Sequence, residues 1–473
     1  MAVILTNEHL EYAGIWWVPD HPRSKLQGTL TFKRSEGGTL KLVMYKRNTL
    51  KIPETMTFKI ILGLSSGGEK ITLIDCTVKE INEYLHESIR TFGVEILVRQ
   101  VLLGAHFEKP KDIRFKSIWI NFLHVDDWVD VSGFDSTPPY KLDSIKYAKP
   151  EDLHFNVSKS LKISISFSVT RSPFSKPQKE MYIKQGVLIG ITLSPSATLD
   201  DYWNTIYHVQ NLLTLAMMKP TYPLSIEGIP KKSGSYVKVF SRSYAAAATE
   251  DKLRSWEMLF TFTNVSEHFE TLLKNWFKKT ELLEPVFDLF FGTLYISRIY
   301  LTTEFLNFVQ ALESYLRRTM KGYELPRAEH RKRIRKILDY APDEYRTWLK
   351  TKLNYSNEPT LRMRLERFLG DIPKSLEDII HDKEVFIRNA VDTRNYLTHY
   401  DKKLEEKAVK GEELYKLTLR LNILLQLCLL RELGFKPKKI EEMISHLINR
   451  FSILREKVLP QTQQTTRKDH PPD

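Results

Sequence analysis

The chain has 473 residues, which is enough for two or three domains that each bury a hydrophobic core. Its 71 lysine and arginine residues outnumber 58 aspartate and glutamate residues, so the net charge is +13 and polyanions are expected partners. Two cysteines, Cys76 and Cys428, are too few for a disulfide framework or a zinc cluster, and we expect both in hydrophobic cores.

The sequence predicts a cytoplasmic protein without a membrane partner. Its first residues lack a basic segment followed by a long apolar run, so no secretion signal is expected. The most hydrophobic stretch, residues 414–433, is interrupted by Lys416, Arg420 and Arg431, which disfavours a membrane-spanning helix.

Residues 14–131 run in short segments rich in β-branched and aromatic residues, separated by turns such as Ser-Glu-Gly-Gly at 35–38. Many short strands with glycine-rich turns are typical of a sandwich or barrel-like sheet. We therefore predict an N-terminal β-rich domain at residues 1–135. Near its start, Trp16 and Trp17 predict a strand with one ring facing inward and the other at the rim.

A second β-rich region with one helix is predicted at residues 140–245, after a linker or long loop at 135–139. The strict alternation of apolar and polar residues over Ile163–Phe167 is typical of a half-buried strand. The spacing of apolar residues over 200–218 predicts the helix.

From about residue 265 onward, apolar residues recur at helical spacing, which predicts an all-α bundle at residues 250–459. The clearest helices are predicted at 328–340, 343–354, 360–369, 381–400, 411–433 and 438–457. The polar tail at 460–473 contains prolines and is predicted to be disordered. The predicted fold class is therefore α+β and multidomain, with β-rich regions followed by a helical bundle.

Part of the helical region is strongly basic. Between Arg317 and Lys336 there are nine lysines and arginines, opposed only by Glu324 and Glu329. Such a run is often a solvated helix face, but the helical spacing within it favours contact with RNA phosphates. The candidate RNA-binding residues are Arg317, Arg318, Arg331, Lys332, Arg335 and Arg362.

The most informative segment is residues 392–399, Asp-Thr-Arg-Asn-Tyr-Leu-Thr-His, within the predicted helix 381–400. Residues three or four apart are neighbours on a helix. This spacing predicts an inward face of Phe386, Ala390 and Leu397 and a polar stripe of Arg388, Asp392, Asn395 and His399. Arg394 flanks the stripe, so a straight helix separates it from His399. The two meet only if the helix end distorts or if two copies of the helix face each other in a dimer.

These side chains suit the cleavage of RNA without a metal. A neutral imidazole can take the proton of a 2′-hydroxyl group, and a guanidinium can stabilise the charge that grows on the phosphate. His399 and Arg394 would supply those groups. The alternative from spacing alone is an amphipathic helix with a solvated polar face, in which His399 interacts with the helix dipole.

Arg-Asn followed by three residues and a histidine resembles the signature of HEPN domains, a family of metal-independent ribonucleases. The resemblance implies that Arg394 and His399 are catalytic, that Asn395 supports them, and that the site forms across a homodimer. At the other end of the chain, residues 14–20 and 28–32 resemble the start of the ApeA N-terminal domain, which precedes a HEPN domain in bacterial anti-phage proteins.

We therefore predict an endoribonuclease of an abortive-infection system that needs no metal or other cofactor. Its substrate is RNA, with transfer RNA as one candidate, and its β region senses a phage-derived trigger. Asp392 is expected to anchor Arg388, and Glu313 to pair with Arg317 or to support the active site. The alternative is a non-catalytic protein whose helical domain binds RNA or dimerises and whose β region recognises a protein.

Overall fold

The computed structural model describes residues 9–45, 53, 55–86, 89–135, 146–172, 181–232, 234–242, 252–320, 322–372 and 377–450. Contacts divide the chain into two units, which we call the sheet unit (Met1–Thr280) and the helical unit (Glu281–Asp473). Most of the predicted linker, the end of the last predicted helix and the predicted disordered tail lie outside the described residues.

The strands of the sheet unit form one antiparallel sheet in the order β3-β2-β1-β4-β5-β6-β12-β11-β7-β10-β9-β8. Both predicted β regions contribute strands to it. The strands are β1 His9–Trp17, β2 Leu26–Lys33, β3 Gly37–Met44, β4 Thr57–Ser65, β5 Lys70–His86, β6 Ile89–Leu103, β7 Arg114–Phe122, β8 Leu153–Asn156, β9 Leu161–Arg171, β10 Ile183–Thr198, β11 Pro223–Pro230 and β12 Val237–Ser241.

The first six strands close on themselves, because β3 pairs with β6 as well as with β2. Alternate side chains point inward and form one hydrophobic core. Trp16 is fully buried there, and its Nε1 donates to the Gly28 carbonyl at 3.1 Å. A Cβ atom on Gly63 would lie 2.1 Å from the Trp16 ring, so only glycine fits beneath the indole. Trp17 is only partly buried, which confirms the predicted inward and rim positions.

Strand β6 connects the closed strands to the rest of the sheet. Its residues 92–98 pair with β3, whereas residues 100–103 pair with β12. The helices in or entering the sheet unit are α1 Val125–Val129, α2 Leu199–Met217, α3 Phe262–Val265 and α4 Phe269–Leu294. Thr198 and Asp201 form a capping box that starts α2, which packs on β7 and β10.

The helical unit confirms the predicted α+β class. After α4, its helices are α5 Leu301–Thr319, α6 Arg327–Tyr340, α7 Asp343–Lys352, α8 Leu361–Gly370, α9 Glu377–Ile380, α10 Lys383–His399, α11 Lys402–Glu405, α12 Gly411–Leu433 and α13 Pro437–Arg450. The leucine-rich α12 packs against α5, and α10 contacts α5, α8 and α12.

Both cysteines are free and buried, as predicted. Burial raises the pKa of each thiol above its usual range, so Cys76 and Cys428 behave as small apolar groups. Of the helices in the described ranges, none combines the length and apolarity needed to cross a membrane.

Candidate active site

Helix α10 carries the motif and packs on the bundle through one face. The Asp382 side chain accepts a hydrogen bond from the Val385 backbone N–H at 3.0 Å and caps the helix start. The predicted inward residues Phe386, Ala390 and Leu397 are all buried, so the helical spacing identified the packed face correctly.

Two neighbours hold the Arg394 guanidinium. Its Nη2 donates to Glu313 Oε2 on α5 at 3.0 Å, and its Nη1 donates to Asn395 Oδ1 at 3.1 Å. Arg394 is 34% exposed and Glu313 is 20% exposed. Because a guanidinium carries five N–H donors, these contacts orient the group and still leave donors for a phosphate.

Glu313 also belongs to a longer row of charges. Its second carboxylate oxygen lies 3.9 Å from Arg317, which in turn lies 3.7 Å from Glu358. Buried Arg364 donates from Nε to the Pro359 carbonyl at 3.1 Å. Burial, followed by repulsion from Arg317, lowers the pKa of Arg364. A row of alternating charges therefore leads from Arg394 through Glu313 and Arg317 to Glu358.

His399 is exposed and is the last residue of α10. The helix is regular up to this residue, and Tyr400 ends it in the left-handed conformation with φ 51°. Five positions along an α-helix correspond to a rotation of about 140°, so Arg394 and His399 point in different directions. The helix end is not distorted in a way that unites them within one chain.

The other motif residues have different environments. Asp392 is partly buried and Arg388 is exposed, and in the described part of the chain no ion pair joins them. Thr393, which no sequence pattern singled out, is fully buried. Its hydroxyl accepts a hydrogen bond from the Val409 N–H at 3.1 Å and so ties α10 to the segment before α12.

The predicted RNA-binding residues fall into two groups. Those on α5 and α8 have protein partners: Arg317 faces Glu313 and Glu358, Arg318 donates to the Leu282 carbonyl, and Arg362 faces Glu366 and Glu384. Those on α6 differ, because no ion pair within the described ranges involves Arg331, Lys332 or Arg335.

Helices α6 and α7, which we call the basic arm (residues 327–352), contain no buried residue. Large aromatic side chains stand among their charges: Tyr340 is 90% exposed and Trp348 is 60% exposed. Tyr355 follows the arm and is 75% exposed. Exposed aromatic rings among cations are typical of surfaces that bind single-stranded nucleic acid. These rings were not predicted as functional from the sequence, although aromatic residues in otherwise polar helices were a usable signal.

Across the described residues, no group of three or more histidine, cysteine, aspartate or glutamate side chains is arranged to hold a metal ion.

A large antiparallel sheet followed by a helical unit with Arg394, Asn395 and His399 on one helix defines a two-part protein of the HEPN class. The model of the Apea-like HEPN domain matches residues 306–439, which include Glu313, the basic arm and the motif. The model of ApeA N-terminal domain 1 matches residues 11–276. The chain therefore belongs to the ApeA family of anti-phage HEPN nucleases. No curated protein and no solved structure shows significant similarity to it.

Proposed function

We propose that the protein is a metal-independent endoribonuclease that acts in anti-phage defence. The proposal rests on the environment of the Arg394 guanidinium. Glu313 and Asn395 hold this group in one orientation, and the exposed His399 lies on the same helix as Arg394. Such a preorganised cation stabilises developing negative charge without having to move during the reaction.

In this mechanism, the His399 imidazole takes the proton of the ribose 2′-hydroxyl. The 2′-oxygen attacks the adjacent phosphorus while Arg394 stabilises the charge on the phosphate oxygens. The bond to the 5′-oxygen breaks, and that oxygen takes up a proton from water, while His399 releases the proton it accepted to the solvent. The products are a 2′,3′-cyclic phosphate and a 5′-hydroxyl end. Asn395 keeps the guanidinium in its orientation.

A complete site requires two copies of the chain. Arg394 and His399 diverge by about 140° on a regular helix, so one phosphate does not reach both within one copy. When two α10 helices face each other, Arg394 of one copy meets His399 of the other. A two-fold dimer would contain two such sites, since each copy supplies both residues.

The basic arm supplies affinity for RNA. Arg331, Lys332 and Arg335, which form no ion pair within the described ranges, contact phosphates, and the exposed rings of the arm stack on unpaired bases. Transfer RNA is the first substrate to test, because it offers both closely spaced backbone phosphates and unpaired bases in single-stranded loops. The sheet unit acts as the sensor for a phage-derived trigger.

Catalysis is tested by incubating the purified protein with total RNA in the presence of a chelator. Wild-type protein should produce cyclic phosphate ends, while Arg394→Ala and His399→Ala should reduce cleavage by at least about a hundredfold. Arg298→Ala, an exposed residue of the helical unit outside the site, is the control and should cleave normally. Cell toxicity with and without phage should be scored in parallel, because the nuclease is expected to await its trigger.

The shared site is tested by mixing the two inactive variants. In a mixed dimer, one site combines the intact Arg394 of one copy with the intact His399 of the other. Random mixing should therefore restore about a quarter of the wild-type activity. No recovery, despite exchange of subunits, would exclude a site that spans two copies.

The non-catalytic alternative gives a different pattern. If the helical unit only binds RNA or dimerises, the wild type and both variants should bind RNA equally and leave it intact, with or without phage components.

A further inference from the structure

The sheet unit contains a cavity of ≈ 340 Å³ that the proposed function does not use. Residues of β2, β6, β7, β9, β10, β11, β12 and α2 line it. Pockets that bind small molecules usually measure about 300–1,000 Å³ and have mainly apolar walls with a few polar groups. The cavity is therefore large enough for a small organic ligand.

Aromatic rings form much of its wall. The lining includes Phe32, Trp119, Trp203, Tyr222 and Phe240. The ring centroids of Phe32 and Phe240 lie 5.7 Å apart, and those of Trp119 and Tyr236 lie 5.8 Å apart. Flat aromatic surfaces of this kind favour a planar ring that can stack on them.

Two polar groups at the cavity have no hydrogen-bond partner among the residues that the structure describes. Gln100 is only 6% exposed and lines the cavity, and no hydrogen bond within the described ranges involves its side chain. The indole Nε1 of Trp203 is likewise buried without a hydrogen-bond partner among the described residues. An unpaired buried polar group costs about 1–3 kcal/mol, so a group such as the Trp203 N–H usually serves a ligand or water. Together they offer two types of donor and one acceptor, which suits the edge of a heteroaromatic ring.

The charges around the cavity are mainly positive. Four cations line it against two carboxylates: Arg34, Arg99, Lys238 and Arg242 against Asp200 and Glu227. Asp75 pairs with Arg99 at 3.3 Å and offsets its charge. Glu227 lies opposite Lys238 in the sheet, which offsets one charge. Burial also raises the pKa of Glu227, which disfavours its charged form. Contacts within the protein hold two of the cations in place, since Arg34 donates to the Leu224 carbonyl and Arg242 Nε donates to the Ser35 carbonyl at 3.1 Å.

We propose that this cavity binds a nucleotide-class ligand, a small anion with a planar heteroaromatic ring. The ring stacks between the aromatic side chains, Gln100 and Trp203 recognise its edge, and the cations hold its phosphate. This proposal concerns the sheet unit and holds whether or not the helical unit cleaves RNA.

The test is calorimetric titration of the full-length protein with the four ribonucleoside 5′-monophosphates, the corresponding nucleosides and orthophosphate. At least one nucleotide should bind with a dissociation constant below about 1 mM, and its nucleoside and orthophosphate should each bind at least tenfold more weakly. Trp203→Phe, which keeps an aromatic ring but loses the indole N–H, and Gln100→Met, which keeps the side-chain length, should each weaken binding about fivefold. Trp256→Phe is the control, because Trp256 is 67% exposed and does not line the cavity.

Three outcomes would overturn the proposal. They are no binding of any of the four nucleotides at millimolar concentration, equal binding of orthophosphate and nucleotides, and equal binding by the Trp203→Phe and Trp256→Phe variants. The thermal unfolding temperature of each variant, measured without ligand, shows whether it is folded. Because Trp203→Phe keeps an aromatic ring in the cavity wall, it provides the second test if Gln100→Met does not fold.

Discussion

Helix α10 and the basic arm belong to the same unit and are both rich in charge, but their arginine side chains have different environments. Arg394 on α10 is partly buried, and Glu313 and Asn395 fix its orientation. Arg331 and Arg335 on the arm are exposed, and no ion pair among the described residues restrains them. One arrangement fixes the direction of a guanidinium, whereas the other keeps charge available.

This difference separates the two tasks of the proposed nuclease. Stabilising a transition state requires donors at fixed positions, because only contacts that improve at the transition state accelerate the reaction. Binding a polyanion requires charge rather than geometry, because most of its free energy comes from the release of counterions. The paired arginine should therefore control the rate, and the unpaired cations should control affinity.

The largest expected effect is the difference between arginine-to-lysine substitutions at two positions. Arg394→Lys keeps the charge but loses the fork that Glu313 and Asn395 orient, so we expect the cleavage rate to fall about a hundredfold. Arg335→Lys should change the rate less than about twofold, because a phosphate contact accepts either cation. Single-turnover cleavage of a labelled RNA at saturating protein measures both. Equal losses would mean that the two regions do not divide the tasks.

The next largest effect concerns affinity. Replacing Arg331, Lys332, Arg335 and Lys336 together by glutamine should weaken RNA binding about twentyfold at physiological salt and leave the rate at saturation unchanged. The slope of log Kd against log salt concentration should fall by up to about 3, since each lost contact to a single strand contributes about 0.7. Binding should be measured in a His399→Ala background to prevent cleavage. An unchanged slope would exclude the arm as a phosphate-binding surface.

Part of the site was predictable from the sequence, because it depends on local spacing. Helical periodicity placed Arg388, Asp392, Asn395 and His399 on one stripe of α10 and correctly predicted its buried face. Glu313 was harder to assign, since it lies 81 residues before Arg394 and only the packing of α5 on α10 brings them together. Helical spacing predicted an ion pair between Glu313 and Arg317, four residues later. In the structure this contact, at 3.9 Å, is longer than the contact between Glu313 and Arg394, at 3.0 Å.

The sheet shows the same limit. Short segments with turns between them identified most strands, because alternation and turn residues are local signals. Their pairing was not predictable: Gln100 of β6 pairs with Ser241 of β12, and this long-range contact joins both predicted β regions in one sheet. The exposure of the basic arm was also hidden, since Ile334, Ile337 and Leu338 have core-like spacing but none of them is buried.

A smaller effect should follow when the support of Arg394 is weakened but not removed. Glu313→Gln keeps an oxygen that accepts from the guanidinium but loses the negative charge, so we expect the rate to fall about fivefold with little change in RNA affinity. Glu358→Gln is the matched control, because Glu358 contacts Arg317 and not Arg394. If both variants lose the same activity, the whole row of charges, and not the single contact, supports the site.

The smallest expected effect is on the free energy of unfolding. It distinguishes α10, which packs on the bundle, from α6, which contains no buried residue. Asp382→Ala removes the side-chain cap of α10 and should lower the free energy of unfolding by about 1 kcal/mol. Asp339→Ala, at an exposed position near the end of α6, should change it by less than about 0.5 kcal/mol. Urea unfolding followed by circular dichroism measures both changes. Because the cap lies at the opposite end of α10 from His399, Asp382→Ala should leave the cleavage rate of the folded protein unchanged. A loss of rate without a loss of stability would show that the start of α10 positions the motif directly.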